Sequence, residues 1–307
     1  TPVSAPKTLF VPAGSYSLTK PIYIPAGYII SIEAGTRFLF SQNSTFVCRG
    51  SIRATGTKEN PIVFTSSDKS WPGLLIINSD IESNFSHAYF SKIGGVGKGP
   101  SSNSIIQNGW TMTGGVTVYN STVNFSYCNF NESMTEDALN IISSSFFLDS
   151  CTFKNIFSDA FDGDFVQGEV KNCIFMKVKG DGVDFSGSQV SVTGCSFTEI
   201  NDKAISVGED SHVNVQSTKI DRVSFGVVAK DMSQVIVNNC KIEQATIAAF
   251  SAYQKKNSFG PAKMEVNYSA VVGSANKFLV QNGSSILHDD ATIKSVPLDV
   301  EKLYSGQ

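Results

Sequence analysis

The residues best able to do chemistry in this chain recur in columns. Asp137, Asp159, Asp181 and Lys203 follow one another at intervals of 22 residues. A second column, three residues on, runs Asn140, Asp162, Asp184 and Ser206, and Asp164 lies two residues beyond Asp162. If each line is one rung of a stack, the carboxylates sit about 4.8 Å apart and cannot all ionise without a counter-charge. Three things can relieve them. A Ca2+ ion takes several hard oxygen ligands at about 2.4 Å, which Asp159, Asp162, Asp181 and Asp184 can supply. Shared protons give paired acids with separated pKa values, as glycoside hydrolysis needs, with Asp162 and Asp184 as the pair. The third is Lys203, either a base depressed by desolvation or an ion-pair partner. The competing structural reading is that Asp and Asn at coil corners cap turns through backbone N–H groups.

Other residues complete the candidate set. Asp137, Asn140, Asp164 and Ser206 are placed on the same surface as substrate contacts, with Arg222 and Lys230 in reach as partners for substrate carboxylates. Trp110 is either a sugar-stacking platform or a pin for its own loop. Beyond the fourth line the register continues as Phe225-Gly226-Val227 and Ala248-Ala249-Phe250, apolar where the acids stood. The acids are therefore local to a few coils and are not demanded by the repeat.

The elements that position these columns follow from the same period. A repeat in the twenties means stacked units, each too small to bury its own apolar face. Leu139, Phe161, Val183 and Ile205 must point in, and so must Ile141, Phe185 and Val207. Alternation then sends Asn140, Asp162, Asp184 and Ser206 outward, and the small column Ala138, Ala160, Gly182, Ala204 with them. Cys128, Cys151, Cys173 and Cys195 form an inward ladder, with Thr218 and then Cys240 in the same slot. Its members read as small buried hydrophobes with free thiols rather than as disulfides.

Apolar residues make up 41% and charged residues 17%, Phe is frequent at 22 copies, and no stretch sustains a helical period. That composition is strand-rich and turn-rich. The fold expected is all-β, a single right-handed parallel β-helix with coils of about 22 residues. Residues 1–8 read as a leader, 9–296 as the solenoid with a long loop at 91–115, and 297–307 as a tail capping the open end. A net charge of −3 carries no polycationic footprint, so nucleic acid is not an expected partner. No apolar run approaches the roughly 18 residues of a membrane span, and no basic segment with an apolar run after it opens the chain, so a signal peptide, if encoded, is expected to have been removed. Oligomeric state is not legible.

Pro61-Ile62-Val63-Phe64-Thr65-Ser66 and Trp71-Pro72-Gly73-Leu74, after Ala54-Thr55-Gly56-Thr57, resemble the first coils of secreted bacterial right-handed parallel β-helix proteins. The later lines resemble repeats shared by pectate lyases, polyuronate epimerases and related polysaccharide-active proteins. Asp181-Gly182-Val183-Asp184, with Lys203 one coil later, is similar to the calcium-dependent lyase branch. The resemblance implies Ca2+ in the acidic cluster and a lysine that takes the C5 proton of a uronate. Gly180 stands where that branch has a further Asp, and His87, His212 and His288 lie away from the columns. The expectation is a lyase or C5-epimerase for an acidic polysaccharide, secreted, periplasmic or at the cell surface. The alternatives are a hydrolase using Asp162 and Asp184, and a non-catalytic glycan-binding or scaffold β-helix.

Overall fold

The computed structural model describes residues 5–94, 105–107 and 110–304, without the side chains of residues 105–107, 110 and 111. The fold is an all-β parallel solenoid of about 12 turns and about 23 residues per turn, with almost no helix. The chain falls into two compact units, Thr1–Ser158 and Asp159–Gln307. Among the described residues no helix is long and apolar enough to cross a membrane.

In the first unit one sheet stacks Lys7–Val11, Tyr28–Ile32, Ser51–Thr55, Ser83–Ser86, Val123–Ser126 and Ser145–Asp149 in parallel. The other sheet of this unit carries a column of phenylalanines into the interior. Phe64, Phe90, Phe130 and Phe153 stack with successive ring centroids 4.9, 5.0 and 4.6 Å apart. That spacing is the strand spacing, so a ring repeated at one slot of each coil stacks without adjustment. The break in rhythm over residues 91–115 contains an antiparallel pair, Ile105–Gln107 with Trp110–Met112. By Gly114–Tyr119 the chain is again in the parallel sheet. The Trp110 side chain lies outside the described residues.

In the second unit one sheet stacks Gln167–Lys171, Gln189–Thr193, His212–Gln216, Gln234–Asn238, Lys263–Asn267 and Ser285–His288. Corners that leave it take left-handed backbone at Asn172, Gly194, Ser217 and Asn239. Asn and Gly tolerate that conformation, which is why the corner repeats as reliably as the core. The cysteine slot follows each corner, and all six cysteines are buried and free. Cys173 and Cys240 donate to the carbonyls of Lys171 and Asn238 at 3.2 and 3.3 Å. Thr218, in the same slot, donates to Gln216 at 3.1 Å. A small group with one donor is what the slot requires.

The second sheet of this unit carries Asp159–Asp164, Val183–Ser186, Ser196–Gly208, Lys219–Lys230 and Lys241–Tyr253. The long strands bend midway. Register slips between Ile200 and Lys203 and again between Val223 and Phe225, and Glu199, Arg222 and Gln244 are left-handed there. The bend overturns one expectation. The small column does not point out: a Cβ added at Gly182 would lie 2.6 Å from the Phe197 ring, inside the core. Ala160 and Ala204 are likewise fully buried. Two successive residues face inward at each bend, so strict alternation fails there.

After Val296, which bridges to Gln281, the chain runs onto the outer face of this sheet. Leu298, Val300, Leu303 and Tyr304, the last three in the helix Val300–Tyr304, pack against Phe225, Val228, Ala248 and Tyr253. Part of the tail expected as an end cap therefore covers a side of the solenoid.

Candidate functional site

The outer face of the bent sheet in the second unit is a grid of three columns. Asp162, Asp184, Ser206, Val228 and Ser251 are successive register partners. Asp164 pairs with Ser186, Ser186 with Gly208, and Lys230 with Tyr253. Lys203 pairs with Phe225, and Asp159 and Asp181 precede it at the same place in their coils. Parallel in-register pairing thus brings acids, lysines and a tyrosine from five coils to one face.

The first column has a structural duty. Asp159 Oδ1 accepts the backbone N–H of Asp181 at 2.7 Å, and Asp181 Oδ1 accepts that of Lys203 at 2.9 Å. Each carboxylate caps the coil after it, as the turn-capping reading expects. The Lys203 ammonium adds an ion pair to Asp181 at 3.2 Å and a closer one to Asp202.

Asp184 and Lys230 stand apart from that capping ladder. Asp184 Oδ1 is buried without a hydrogen-bond partner, and Lys230 Nζ lies 3.6 Å from it. Ser206 Oγ is also buried and unpartnered. The charges are set by opposing forces. Desolvation would raise Asp184, but Lys230, the nearby Ser206 hydroxyl, Lys203 and Lys255 together hold it below the ordinary carboxylate range. Desolvation and the charges of Asp164, Asp184 and Asp159 push Asp162 well up. Desolvation, aided by Asp184, pushes Asp159 up to about 6 against the Asp181 N–H and Lys203. Burial works against the charge on Lys203, yet Asp181 and Asp202 outweigh it and raise its pKa. Lys230 is raised in the same way by Asp184 and Asp181.

The oxygens of Asp159, Asp181 and Asp184 lie within 4.8 Å of one another, close enough to share one cation. The orphaned Asp184 Oδ1 and the hard oxygen donors fit Ca2+. Asp162, expected as a fourth ligand, stands outside that triad.

Several sequence-placed residues are covered on this face or lie off it. Ser206 points outward but is covered, so it is not a free surface contact. Asp137 and Asn140 belong to the first unit and are buried there, with Asn140 accepting a hydrogen bond from Thr113. Arg222 leaves the strand at the left-handed bend and pairs with Glu199 at 3.3 Å and with Asp221. It lines a separate cleft of about 1030 Å³ with Lys179, Asn201, Asp202, Ser224 and Thr246. The floor of that cleft includes Ile200, Val223 and Ala245, one from each coil.

Four further residues belong to the site; the sequence reading gives none of them a role and takes residues 252–263 only as a basic, aromatic loop able to flank a groove. Asp202 pairs with Lys203. Tyr253 continues the third column after Lys230, a position that its spacing could have given. Lys255 is fixed by Asp231, whose Oδ1 accepts the backbone N–H groups of Lys255 and Lys256 at 2.6 and 2.7 Å. Desolvation, with Lys230 and Lys203, lowers the Lys255 pKa. Tyr304 lies with its ring 5.2 Å from the Lys203 ammonium and 4.4 Å from that of Lys255, and its hydroxyl is 2.6 Å from that of Tyr253. No periodicity announces it.

A family model described as a right handed beta helix region matches residues 114–294. Among solved structures, the chain is similar to the periplasmic alginate epimerase AlgG, at 11% identity over 89% of this chain and 85% of that one, with a TM-score of 0.51. It is also similar to the A-module of the Azotobacter vinelandii mannuronan C-5 epimerase AlgE4, at 8% identity over 92% and 91%, with a TM-score of 0.49. A third is the Agl-KA catalytic domain, at 12% identity and a TM-score of 0.47, where the match covers 92% of this chain but 63% of the other. At such identities the likeness is one of fold. No curated protein matches the chain.

Proposed function

This chain belongs to the family of right-handed β-helix proteins, and from that premise we propose that it acts on an acidic, uronate-containing polysaccharide by β-elimination or C5 epimerisation. The observation that carries this reading is the charged grid itself. Asp162, Asp184, Lys203 and Lys230 hold positions where later coils carry Phe225, Val228 and Tyr253, so the repeat itself does not require charge there. Lysines held charged bind a uronate carboxylate, and that contact makes the C5 proton more acidic. Lys203, held up by Asp181 and Asp202, serves as such a cation. Lys255, lowered by its neighbours, is the better base. In elimination the base takes the C5 proton, a double bond forms, and the C4–O bond breaks. The raised Asp162 is then the acid for the leaving oxygen. In epimerisation the proton returns from the opposite face instead. Ca2+ on Asp159, Asp181 and Asp184, when bound, would add further positive charge at the substrate carboxylate.

The cleft at Arg222 runs beside this grid and shares Asp202 with it. Its lining spans five coils, or about four strand spacings and roughly 19 Å. An extended sugar chain lies along it against the exposed side chains of Asn201, Arg222, Gln244 and Thr246. The protein would meet such a polymer secreted, in the periplasm or at the cell surface.

The test is absorbance of an unsaturated uronate, and proton exchange at C5, on a panel of polyuronates with and without Ca2+. Neither signal on any polymer would remove the reading. A hydrolase is the second reading, favoured by the in-register pair Asp162 and Asp184 with its split protonation. It gives new reducing ends and no unsaturated product.

A further inference from the structure

The acid end of the grid is open, but its lysine end is closed, and what closes it is short. Asp159, Asp162, Asp164 and Asp184 are partly exposed. Lys203 is 3% exposed, Lys230 5%, and Ser206 and Tyr253 0%. The tail residues Leu298, Val300, Leu303 and Tyr304 lie over this end, each only partly buried. The helix Val300–Tyr304 contributes no buried residue of its own.

Two features separate this cover from ordinary core packing. Its apolar attachment is to one small cluster, Phe225, Val228, Ala248 and Tyr253, against which Ile247 and Leu279 also pack. The face beneath it keeps polar atoms unmet: Ser206 Oγ and Ser251 Oγ are buried without hydrogen-bond partners. Burying such atoms penalises the covered state, and uncovering them returns them to water or to substrate hydroxyls. Tyr304 is the centre of the contact, resting on the Lys203 and Lys255 ammoniums and joined to Tyr253. A cation over an aromatic face is favourable, yet a uronate carboxylate competes for the same two ammoniums.

We infer that residues 298–304 are a displaceable, autoinhibitory cover whose release admits an acidic glycan chain to Lys203, Lys230 and Ser206. Its role as a gate rests on the proposed function; its existence as a cover does not. A ligand that binds only the uncovered face shifts the population toward it, so the polymer itself is a sufficient opener.

The experiment uses the full chain carrying Leu303→Asp and Tyr304→Ala, with Tyr304→Phe as a second variant that keeps the ring. Acylation of Lys230 by an amine-reactive ester and hydroxyl-radical oxidation of Tyr253 read the cover. Lys241, about half exposed, is the internal standard. Both rates should rise about tenfold in the double variant, which corresponds to ~1.4 kcal/mol in the opening equilibrium. They should stay near wild type in Tyr304→Phe, and kcat/KM on polyuronate should rise with them. Unchanged labelling in the double variant overturns the cover. Faster labelling without a gain in turnover, in a protein that does turn over polyuronate, overturns the gate. Faster labelling in a protein that never acts on polyuronate overturns the proposed function and leaves the cover standing.

Discussion

Asp162 and Asp184 are register partners in adjacent parallel strands, and their carboxyls are driven in opposite directions. Desolvation acts on both. At Asp162 the neighbouring carboxylates add to it, whereas at Asp184 Lys230, the Ser206 hydroxyl and the other lysines together outweigh it. The two groups have the same chemistry and differ because the lysines lie on the Asp184 side of the grid. A carboxyl that keeps its proton to higher pH therefore stands beside one that gives its proton up early.

Activity should depend on that split. As pH rises through the elevated Asp162 pKa the donor is lost, and as pH falls through the depressed Asp184 pKa the carboxylate is lost. Asp162→Asn should lower kcat by about 10²–10⁴-fold and erase the alkaline limb of the profile. An unchanged alkaline limb would take Asp162 out of the reaction.

Asp159→Asn should stabilise the chain in a defined pH window. With the folded-state pKa raised to about 6, the folded chain keeps a proton that the unfolded chain gives up near pH 4. Its contribution to stability is full below about pH 4 and is lost as pH rises through about 6. The variant keeps an oxygen for the Asp181 N–H and has no such loss. Denaturant midpoints without divalent cations should coincide at pH 4 and favour the variant at pH 7.

Lys203→Met should destabilise strongly. It leaves Asp181 buried without its ion pair, a loss of about 3–5 kcal/mol for a buried pair. Adding Asp181→Asn should restore a large part, because the amide still caps the Lys203 N–H. A strictly additive double variant would show that the pair is not coupled.

Gly182→Ala should cost about 1–3 kcal/mol through overpacking. The added methyl meets the Phe197 ring and the Ala204 carbonyl, both 2.6 Å away. Of these two contacts the Phe197 side chain is the one that a substitution can relieve. In a Phe197→Leu background the cost should shrink, which thermal unfolding can read.

Calcium should raise thermal stability if Asp159, Asp181 and Asp184 hold it. At a hundredfold excess over its Kd the gain is about 2.7 kcal/mol. Asp184→Asn should reduce that gain sharply, and an unmoved wild-type melting curve at millimolar Ca2+ would discard the site.

The sequence by itself determined the solenoid, its period and its inward ladders. Phe175 and Phe197 stack at 4.6 Å because one coil repeats the slot of the last. It also picked the two acid columns, since side chains at equal spacing on parallel in-register strands must meet. Only the tertiary structure decided which way Gly182 faces, because a bend places two successive residues inward and breaks the alternation that sequence reading relies on. It alone separated the capping duty of Asp159 and Asp181 from the ion pair at Asp184, a matter of which atoms lie within hydrogen-bond reach. It alone sent Arg222 into another cleft, since the backbone there is left-handed. And it alone brought Tyr304 onto Lys203, for that contact spans 101 residues by their numbers and comes from a tail with no period. A repeat encodes contacts between equivalent positions, while a segment outside the repeat finds its place only by the surface that the finished stack presents.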